Sequence, residues 1–502
     1  MKRRLFLLPA VRVLAVASLG FVGVGVRDAA AAILVVAQDG MATATNCNAT
    51  NPTPYTTIGA AVTASGSGDT IVVCPGLYAE QVTIIKTLTL LGAKAGVDAR
   101  TRAFVPADES IIDHPCGPVQ IEADNVVLNG FTVQGSTLPD PCFLAGIWSN
   151  PDFSGTQGGH QILNNIVQNN ISGIELDSTC VNPTLVQFNL IQNNNNPGPG
   201  SGNGIQTNFS LCNATIDSNK FSGHLSTSML LVAGQSNLAI SNNELVGGTP
   251  ERIFLANTTA SSITGNVSIG STSSGTIRLF SGNSSVTISG NSLLNGMRGI
   301  RVNDLDPLTA GGNSGIQAHF NCIQGNSLAG LEVAAGDHTG ILNAENNWWG
   351  SATGPTNPGN PGGTGDAIIA PDNNVDFIPF LTSCPAFTPG KVTGGGQVSV
   401  LGGKASFGFN AKQGSGAGSG HLNYMNHVTG AHLDCTVTAI TEFTATTAKF
   451  SGTCSPNSSA TNFMASVEDH GEPGKGNDKF MITYGLTTEG GTLISGNIQI
   501  HK

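Results

Sequence analysis

The strongest constraint on this chain is a repeat of about two dozen residues, with an asparagine at the same place in each copy. A triplet of Asn, any residue and an apolar residue recurs along it, and successive Asn residues lie 25, 30, 24, 23, 25, 30 and 25 positions apart. The series comprises Asn164, Asn189, Asn219, Asn243, Asn266, Asn291, Asn321 and Asn346; only Asn266 lacks the apolar residue. A period near 24 is typical of one coil of a β-solenoid, and helical repeats of about 33 residues or more do not fit it.

Stacking of such coils gives the repeated asparagine a physical role. Each coil lies about 4.8 Å above the last, so equivalent residues come directly over one another. The amide of each Asn can then form a hydrogen bond with the Asn of the next coil, which satisfies a buried polar group. We therefore expect these eight Asn residues to form one buried ladder, with the apolar residue of each triplet in the core.

Composition supports an all-β chain. Only 11% of residues are charged and 6% are aromatic, whereas Gly numbers 66, which favours short strands joined by tight turns. We predict a right-handed parallel β-helix of about ten coils over residues 33–384. Residues 385–502 are predicted to form a small β-sandwich-like or barrel domain, because segments such as 407–410 and 480–484 alternate between apolar and polar residues.

The ten cysteines predict a disulfide framework, since none lies in a Cys-x-x-Cys pair. Cys116 and Cys142 each precede the first strand of a coil by five residues, and Cys180 and Cys212 occupy nearly equivalent places in adjacent coils. Stacked positions bring Cα atoms to bridging distance. The predicted pairs are Cys116–Cys142, Cys180–Cys212, Cys435–Cys454 and, on weaker grounds, Cys47–Cys74 and Cys322–Cys384.

The first 32 residues have the character of an export signal, of either the ordinary or the twin-arginine kind; a retained membrane anchor is the alternative. They hold five of the 21 Lys and Arg and one of the 32 Asp and Glu, so the remainder carries a formal net charge of −15. Such a surface repels phosphate backbones, which argues against nucleic-acid binding. We predict a secreted or periplasmic monomer without a membrane span after signal removal.

Three segments resemble known families. Residues 55–62 and 71–84 resemble the opening of many bacterial right-handed β-helix proteins, including pectin-active ones, which implies a capping helix followed by the first coil. Residues 345–356 resemble a signature of the last coils in bacterial surface β-helix proteins, where a Trp pair closes the core. Residues from 390 onward resemble the post-COAP domain, a small β-rich module of secreted bacterial proteins. These resemblances imply fold more than activity.

One outward column is the main candidate for a binding site. Alternation along the first strand of each coil points Ile inward and the next residue outward. The column is predicted to contain Glu175, Gln206, Phe254, Arg278, Arg301 and Glu332, with the loop of Asp304 and Asp306 beside it. It is interpreted as a site for an acidic sugar or a lyase base; the alternative is a solvated charge ladder, because exposed ion pairs are common.

Other candidates for chemistry are weaker. The motifs that polygalacturonase-like hydrolases share, and those that pectate lyases share, do not occur in this chain. Asp469, Glu472 and Asp478 could hold calcium, although a Gly-Pro-rich turn is the plainer interpretation. Trp148 could be a sugar platform or part of the core.

Two functional hypotheses follow from these patterns. The first is a non-catalytic extracellular protein that presents a face to a glycan or a cell-surface partner, with no cofactor unless calcium binds. The second is a polysaccharide lyase or hydrolase that acts on acidic, uronic polysaccharides. The missing motifs and the scarcity of Trp and Tyr favour the first hypothesis.

Overall fold

The computed structural model describes residues 31–38, 55–139, 142, 144–149, 157–232, 234–247, 251–272, 274–304, 312–384, 391–413, 418–443, 446–455, 457–460, 462–485 and 487–501. The predictions for residues 1–30, Cys47 and Asp306 lie outside these residues. Among the helices of the described ranges, none has both the length and the apolar character that crossing a membrane requires.

Most of the described chain forms three long parallel sheets, which together make a right-handed parallel β-helix, as predicted. Sheet 1 contains Ile33–Val36, Thr70–Val73, Thr89–Leu91, Val127–Asn129, Gln161–Leu163, Thr184–Gln187, Cys212–Asp217, Gln235–Ser241, Thr258–Thr264, Ser284–Ser289, Asn313–Ser314, Gln317–His319, His338–Thr339, Leu342–Asn343 and Val375–Asp376. Sheet 2 contains Gly76–Tyr78, Ser110–Asp113, Phe131–Gln134, Ile166–Gln168, Leu190–Gln192, Lys220–Ser222, Glu244–Val246, Val267–Ile269, Ser292–Leu294 and Cys322–Gln324. Sheet 3 contains Val82–Ile84, Val119–Ile121, Ala145–Ser149, Ser172–Glu175, Ile205–Gln206, Thr227–Leu231, Glu251–Leu255, Ile277–Phe280, Arg298–Asn303, Ala329–Val333 and Ile368–Ile369.

A buried asparagine ladder runs through the coils, as the repeat predicted. The side-chain amide of Asn189 donates to Asn219 Oδ1 at 2.9 Å, and Asn219 donates to Asn243 at 3.1 Å. The same bond continues to Asn266, Asn291 and Asn321 at 2.9 to 3.0 Å. Each amide also donates to a backbone carbonyl, so these buried groups are satisfied.

The two ends of the predicted ladder are wrong by one residue. Asn165, not Asn164, donates to Asn189 at 3.2 Å, and Asn347, not Asn346, accepts from Asn321 at 2.9 Å. Asn164 and Asn346 instead have positive φ angles of 56° and 58°, and the side-chain amide of Asn164 donates to Asn129 Oδ1 in the preceding coil at 3.0 Å.

The cause is the turn that precedes every ladder residue. Phe188, Ser218 and Asn242 each stand just before a ladder Asn and also have φ between 53° and 58°. Asn tolerates this left-handed conformation better than most residues. In an Asn-Asn pair the first residue therefore takes the turn and the second enters the ladder.

A short helix covers the first coils, as the resemblance implied. Helix α1, Ile58–Ala64, buries Ile58, Ala61 and Val62 against the core of the β-helix. Its N-cap is Thr57, and the Glu80 carboxylate accepts from the Ile58 and Gly59 amides at 2.7 and 2.9 Å. These bonds satisfy helix N–H groups that have no partner within the helix. One 3₁₀ turn, Pro106–Asp108, follows later.

Four of the predicted disulfides are present. Cys116–Cys142 and Cys180–Cys212 join adjacent coils with Cα–Cα distances of 4.5 and 4.7 Å. Cys322–Cys384 links residues 62 positions apart, and Cys435–Cys454 lies in the second domain. Trp349 is fully buried in the last coils, whereas Trp348 is partly exposed and its indole N–H donates to Gln324 at 3.0 Å. Only one member of the Trp pair therefore fills the core.

The second domain is an antiparallel barrel. Its strands are Lys391–Val400, Gly403–Gln413, Gly418–Asn426, His432–Phe443, Thr447–Cys454, Asn462–Glu468, Lys479–Tyr484 and Thr487–His501. The last strand pairs with the first, which closes the barrel and decides between the barrel and sandwich alternatives. Its core includes Phe407 stacked on Phe480 with ring centroids 3.9 Å apart.

Candidate functional site

Strand pairing in sheet 3 brings the predicted column together. Glu175 pairs with Gln206, and Arg278 lies between Phe254 and Arg301 in the register. Arg301 in turn pairs with Glu332. The preceding residues, including Ile174 and Ile300, lie in the core, so the column faces outward. Leu230 occupies the coil between Gln206 and Phe254, and Trp148 and Gln120 extend the column toward the N-terminus.

We call the residues Arg278, Arg298, Arg301, Glu251 and Glu332 the arginine end of this column. Arg278 Nη1 lies 2.8 Å from Glu251, and its Nε donates to Asn303 at 2.9 Å. The Arg278 guanidinium also lies 4.9 Å from the Phe254 ring centroid and 4.8 Å from that of Phe280. Arg278 is therefore held in place by one ion pair and by two aromatic rings.

Glu332 forms a triad with two arginines. Its oxygens lie 2.5 Å from Arg298 Nε and 3.0 Å from Arg301 Nε. The three side chains are between 12% and 23% exposed, so these pairs are only partly screened by water. The hydrogen bonds that these arginines donate to described residues come from Nε and Nη1, which leaves Nη2 of Arg278, Arg298 and Arg301 without a partner among those residues. The arginine end thus combines internal neutralisation with Nη2 donors that remain available.

The predicted acidic loop is seen only in part. Asp304 accepts from the Ser281 hydroxyl at 3.0 Å, and its backbone N–H donates to Asp337 at 2.7 Å. Asp304 therefore helps to connect adjacent turns beside the arginine end. Its predicted role in substrate binding remains a prediction.

We call the residues Trp148, Glu175, Asp177, Asn203 and Gln206 the carboxylate end of the column. All five side chains are buried, although they stand on or beside the outward face of sheet 3. Gln206 Nε2 donates to one Glu175 oxygen, and Asn203 donates to Gln206 Oε1 at 2.8 Å. Asp177 Oδ1 accepts from the backbone N–H groups of Asn208 and Phe209 at 3.1 and 2.9 Å.

Each carboxyl group at this end has one buried oxygen without a partner among the described residues, namely Glu175 Oε1 and Asp177 Oδ2. Burial raises the pKa of Glu175 to about 8, against a partial offset from the Gln206 hydrogen bond, and the nearby charge of Asp177 raises it further. Burial also raises the pKa of Asp177 to about 6, with the backbone N–H donors opposing the shift. At neutral pH one carboxyl group therefore carries a proton and its neighbour does not.

Sequence reasoning placed Glu175 in the column but missed its chemistry, and it missed Asp177 altogether. The available signal was the alternation Glu175-Leu-Asp177, which sends both carboxyl groups to the same side of an extended chain. Nothing in that pattern indicates that both groups lose contact with water. Trp148, weighed as a sugar platform or a core residue, stands in the outward column beside Glu175 but is only 6% exposed.

The three carboxylates of the candidate calcium loop accept hydrogen bonds from amides of the loop and of the last strand. Asp478 accepts from the His470 and Ile498 amides at 3.0 and 2.8 Å, and Asp469 accepts from the Gly471 amide at 3.1 Å. Glu472 accepts from two side-chain amides of the last strand. In the described part of the chain, no group of three or more His, Cys, Asp or Glu side chains is arranged to hold a metal ion.

Comparison with known proteins found similar solved structures at low sequence identity. No family model and no curated protein matches the chain. Among solved structures it is similar to an alginate lyase from Paenibacillus sp. str. FPU-7, with 13% identity over 64% of this chain and 96% of that one and a TM-score of 0.39. Pectate lyase Pel9A matches with 12% identity over 71% and 81% of the two chains and a TM-score of 0.37.

A tailspike protein of Bacteriophage CBA120, solved as its enzymatically active domain, is a further match, with 10% identity over 77% of this chain and 70% of that one. Its TM-score is 0.33. At this level of identity the similarities assign no role to any residue of this chain.

Proposed function

We propose that this protein is an exported enzyme that cleaves an acidic polysaccharide by hydrolysis on the outward face of sheet 3. The observation that carries the proposal is the carboxylate end, where a protonated Glu175 stands beside an ionised Asp177 at neutral pH. Paired carboxyl groups with separated pKa values are what acid–base cleavage of a glycosidic bond requires. The proposal corresponds to the second of the two hypotheses drawn from the sequence.

In the proposed reaction Glu175 donates its proton to the bridging oxygen as the bond from the sugar carbon to that oxygen breaks. Asp177 accepts a proton from the water that forms the new bond to the same carbon. The Cα atoms of residues two apart on an extended chain lie roughly 7 Å apart, and two carboxyl groups at a similar spacing leave room for that water. The expected outcome is a single displacement with inversion at the sugar carbon.

Substrate access requires movement of the segment that covers the carboxylate end. Gly200 lies against Gln206, so that a Cβ at this position would stand 2.8 Å from the Gln206 amide nitrogen. Gln206 in turn holds Glu175. A glycan that displaces Gln206 would expose the Glu175 carboxyl group and supply a new polar partner for it.

In this proposal the arginine end gives the protein its preference for an acidic glycan. Arg278 lies four coil steps from Glu175, about 19 Å along the axis at the usual strand spacing. The unpaired Nη2 groups of Arg278 and Arg301 can hold carboxylates of sugar residues beyond the cleavage point. Because both arginines are already held in ion pairs, they are better suited to binding an anion than to removing a proton.

Export is part of the proposal. Four disulfides are typical of a protein that matures in an oxidising compartment. The basic and apolar start of the chain supports the same location.

The test is incubation with a panel of uronic-acid polysaccharides, with new reducing ends and unsaturated products measured separately. We expect new reducing ends without unsaturation, and a loss of about 10²–10⁴-fold in rate for Glu175→Gln. Glu244→Gln, an identical change at a half-exposed residue of sheet 2, is the matched control and should keep full activity. Unsaturated products would indicate a lyase, and glycan binding without cleavage would restore the non-catalytic hypothesis.

A further inference from the structure

A second concave site lies between sheet 1 of the β-helix and the barrel, away from the column of sheet 3. It is a cavity of about 190 Å³, with Gln161, Thr184 and Thr215 on the β-helix side and Asn462, Phe463 and Tyr484 on the barrel side. Pro183, Gly485 and Thr488 stand at its exposed rim, so the cavity opens to solvent.

The two walls are joined by direct hydrogen bonds. Gln187 Nε2 donates to the Ser451 hydroxyl at 2.8 Å and to Asp217 at 2.7 Å, and these three groups are buried. Asn242 Nδ2 donates to the Ile440 carbonyl at 2.9 Å. The cavity is therefore part of a fixed contact between the two folds.

The chemistry of the lining is polar but uncharged. Of the described residues that line the cavity, none is Asp, Glu, Lys, Arg or His. The buried amide nitrogen of Asn462 has no hydrogen-bond partner among the described residues, which leaves a donor available. An ionised ligand would lose its hydration here without meeting an opposite charge.

The barrel side also offers a fixed aromatic ring. The Tyr484 hydroxyl donates to Glu489 Oε1, which also accepts from Tyr424 at 2.6 Å and from Asn426 at 3.1 Å. Burial and this carboxylate raise the pKa of Tyr484 above its usual value, so the phenol stays neutral. Tyr484 and Phe463 belong to the barrel core and, with Leu185 and Met464, form the apolar part of the lining.

We propose that this cavity binds one uncharged sugar residue. Amides and hydroxyls can pair with sugar hydroxyls, while the rings pack against the C–H face of the sugar. The cavity is smaller than the roughly 300 Å³ at which sites for drug-sized ligands begin, which suits one sugar ring. The proposal is independent of cleavage at Glu175, because the two sites share no residue.

The test is calorimetric titration of the whole protein with glucose, galactose, mannose, xylose and N-acetylglucosamine, with glucuronic and galacturonic acid as charged probes. We expect saturable 1:1 binding of at least one neutral sugar and at least tenfold weaker binding of its uronic acid. Thr215→Trp should fill the cavity and weaken binding at least tenfold. Thr287→Trp is the matched control, because Thr287 stands in the same outward column of sheet 1 but does not line the cavity.

Asn462→Asp provides a second variant in case Thr215→Trp does not fold. It keeps the shape of the side chain but removes the free donor, and we expect weaker binding of the neutral sugar. Absence of binding by all neutral sugars would overturn the proposal, as would unchanged binding in folded Thr215→Trp or equal binding of uronic acids.

Discussion

The two ends of the outward column on sheet 3 place carboxyl groups on the same face but balance them differently. At the arginine end, Glu332 contacts two guanidinium groups, at 2.5 and 3.0 Å. At the carboxylate end, Glu175 is more deeply buried and receives an amide hydrogen bond in place of a positive charge. Paired charges give a stable structural element, whereas a buried carboxyl group without a counter-charge changes its protonation state and becomes available for proton transfer.

The largest expected effect is the loss of the Glu332 charge. Glu332→Gln leaves Arg298 and Arg301 partly buried without their partner, and we expect a loss of about 3 kcal/mol in the free energy of unfolding at pH 7. Urea denaturation measures it, with Glu244→Gln as the control that should change by less than about 1 kcal/mol. A loss equal to that of the control would mean that the triad is only a surface charge ladder.

The same change, Glu to Gln, at the carboxylate end should raise the free energy of unfolding instead of lowering it. The raised pKa of Glu175 means that the folded state keeps a proton that the unfolded state releases, so stability is full below pH 4.5 and falls as pH rises to about 8. Glu175→Gln removes this penalty, but it places a second amide atom where Glu175 Oε1 is buried without a partner, which offsets about half of the gain. We expect a net stabilisation of about 2 kcal/mol at pH 8 and none near pH 4.5.

Denaturation at several pH values, with the variant compared to the wild type at each, isolates the Glu175 contribution. The comparison matters because buried His160 has its pKa lowered to about 4 by burial and affects both proteins equally on the acid side. A difference that does not vary with pH would contradict the assigned protonation of Glu175.

Asp177 should show a smaller effect in a lower pH window. Its pKa of about 6 lies above the ordinary value of 3.8. Its ionisation in the folded state therefore lowers stability progressively between pH 3.8 and pH 6, and the loss is constant at higher pH. Asp177→Asn removes this loss but leaves an amide atom buried without a partner at the place of Oδ2, so we expect a net stabilisation of about 1.5 kcal/mol at pH 7 and at pH 8 alike. The same denaturation series reports it, and a gain still rising between pH 7 and 8 would assign the higher pKa to Asp177.

The smallest effect is expected at Arg278. Arg278→Lys keeps the charge but loses the Nε bond to Asn303 and the stacking between Phe254 and Phe280, and we expect a loss of about 1 kcal/mol. Thermal denaturation at low and high salt checks it. A loss that disappears in high salt would show that charge, and not planar stacking, holds Arg278.

The architecture could be predicted closely because the repeat specifies it locally. Spacing alone predicted the middle of the ladder, from Asn189 to Asn321, and the bridges Cys116–Cys142 and Cys180–Cys212. The ladder ends were missed at Asn164 and Asn346, because either residue of an Asn-Asn pair matches the pattern and only the backbone turn distinguishes them.

The site was less predictable, although its column was found. The order Glu175, Gln206, Phe254, Arg278, Arg301 and Glu332 follows from counting residues along the strands. The sequence did not show which charges of the column are neutralised. Glu251 pairs with Arg278 and Arg298 pairs with Glu332, and both partners stand three residues before the column position of their own strand. The barrel cavity depended on contacts between segments hundreds of residues apart.

The sequence by itself determined the coil, its period, the outward face and most of the cross-links. These features arise from a pattern that repeats every two dozen residues, and strand stacking converts it directly into neighbours in space. Tertiary structure alone decided the electrostatics: Glu175 keeps its proton at neutral pH because burial removes it from water. Loss of hydration depends on everything that surrounds a group, and no local pattern records that.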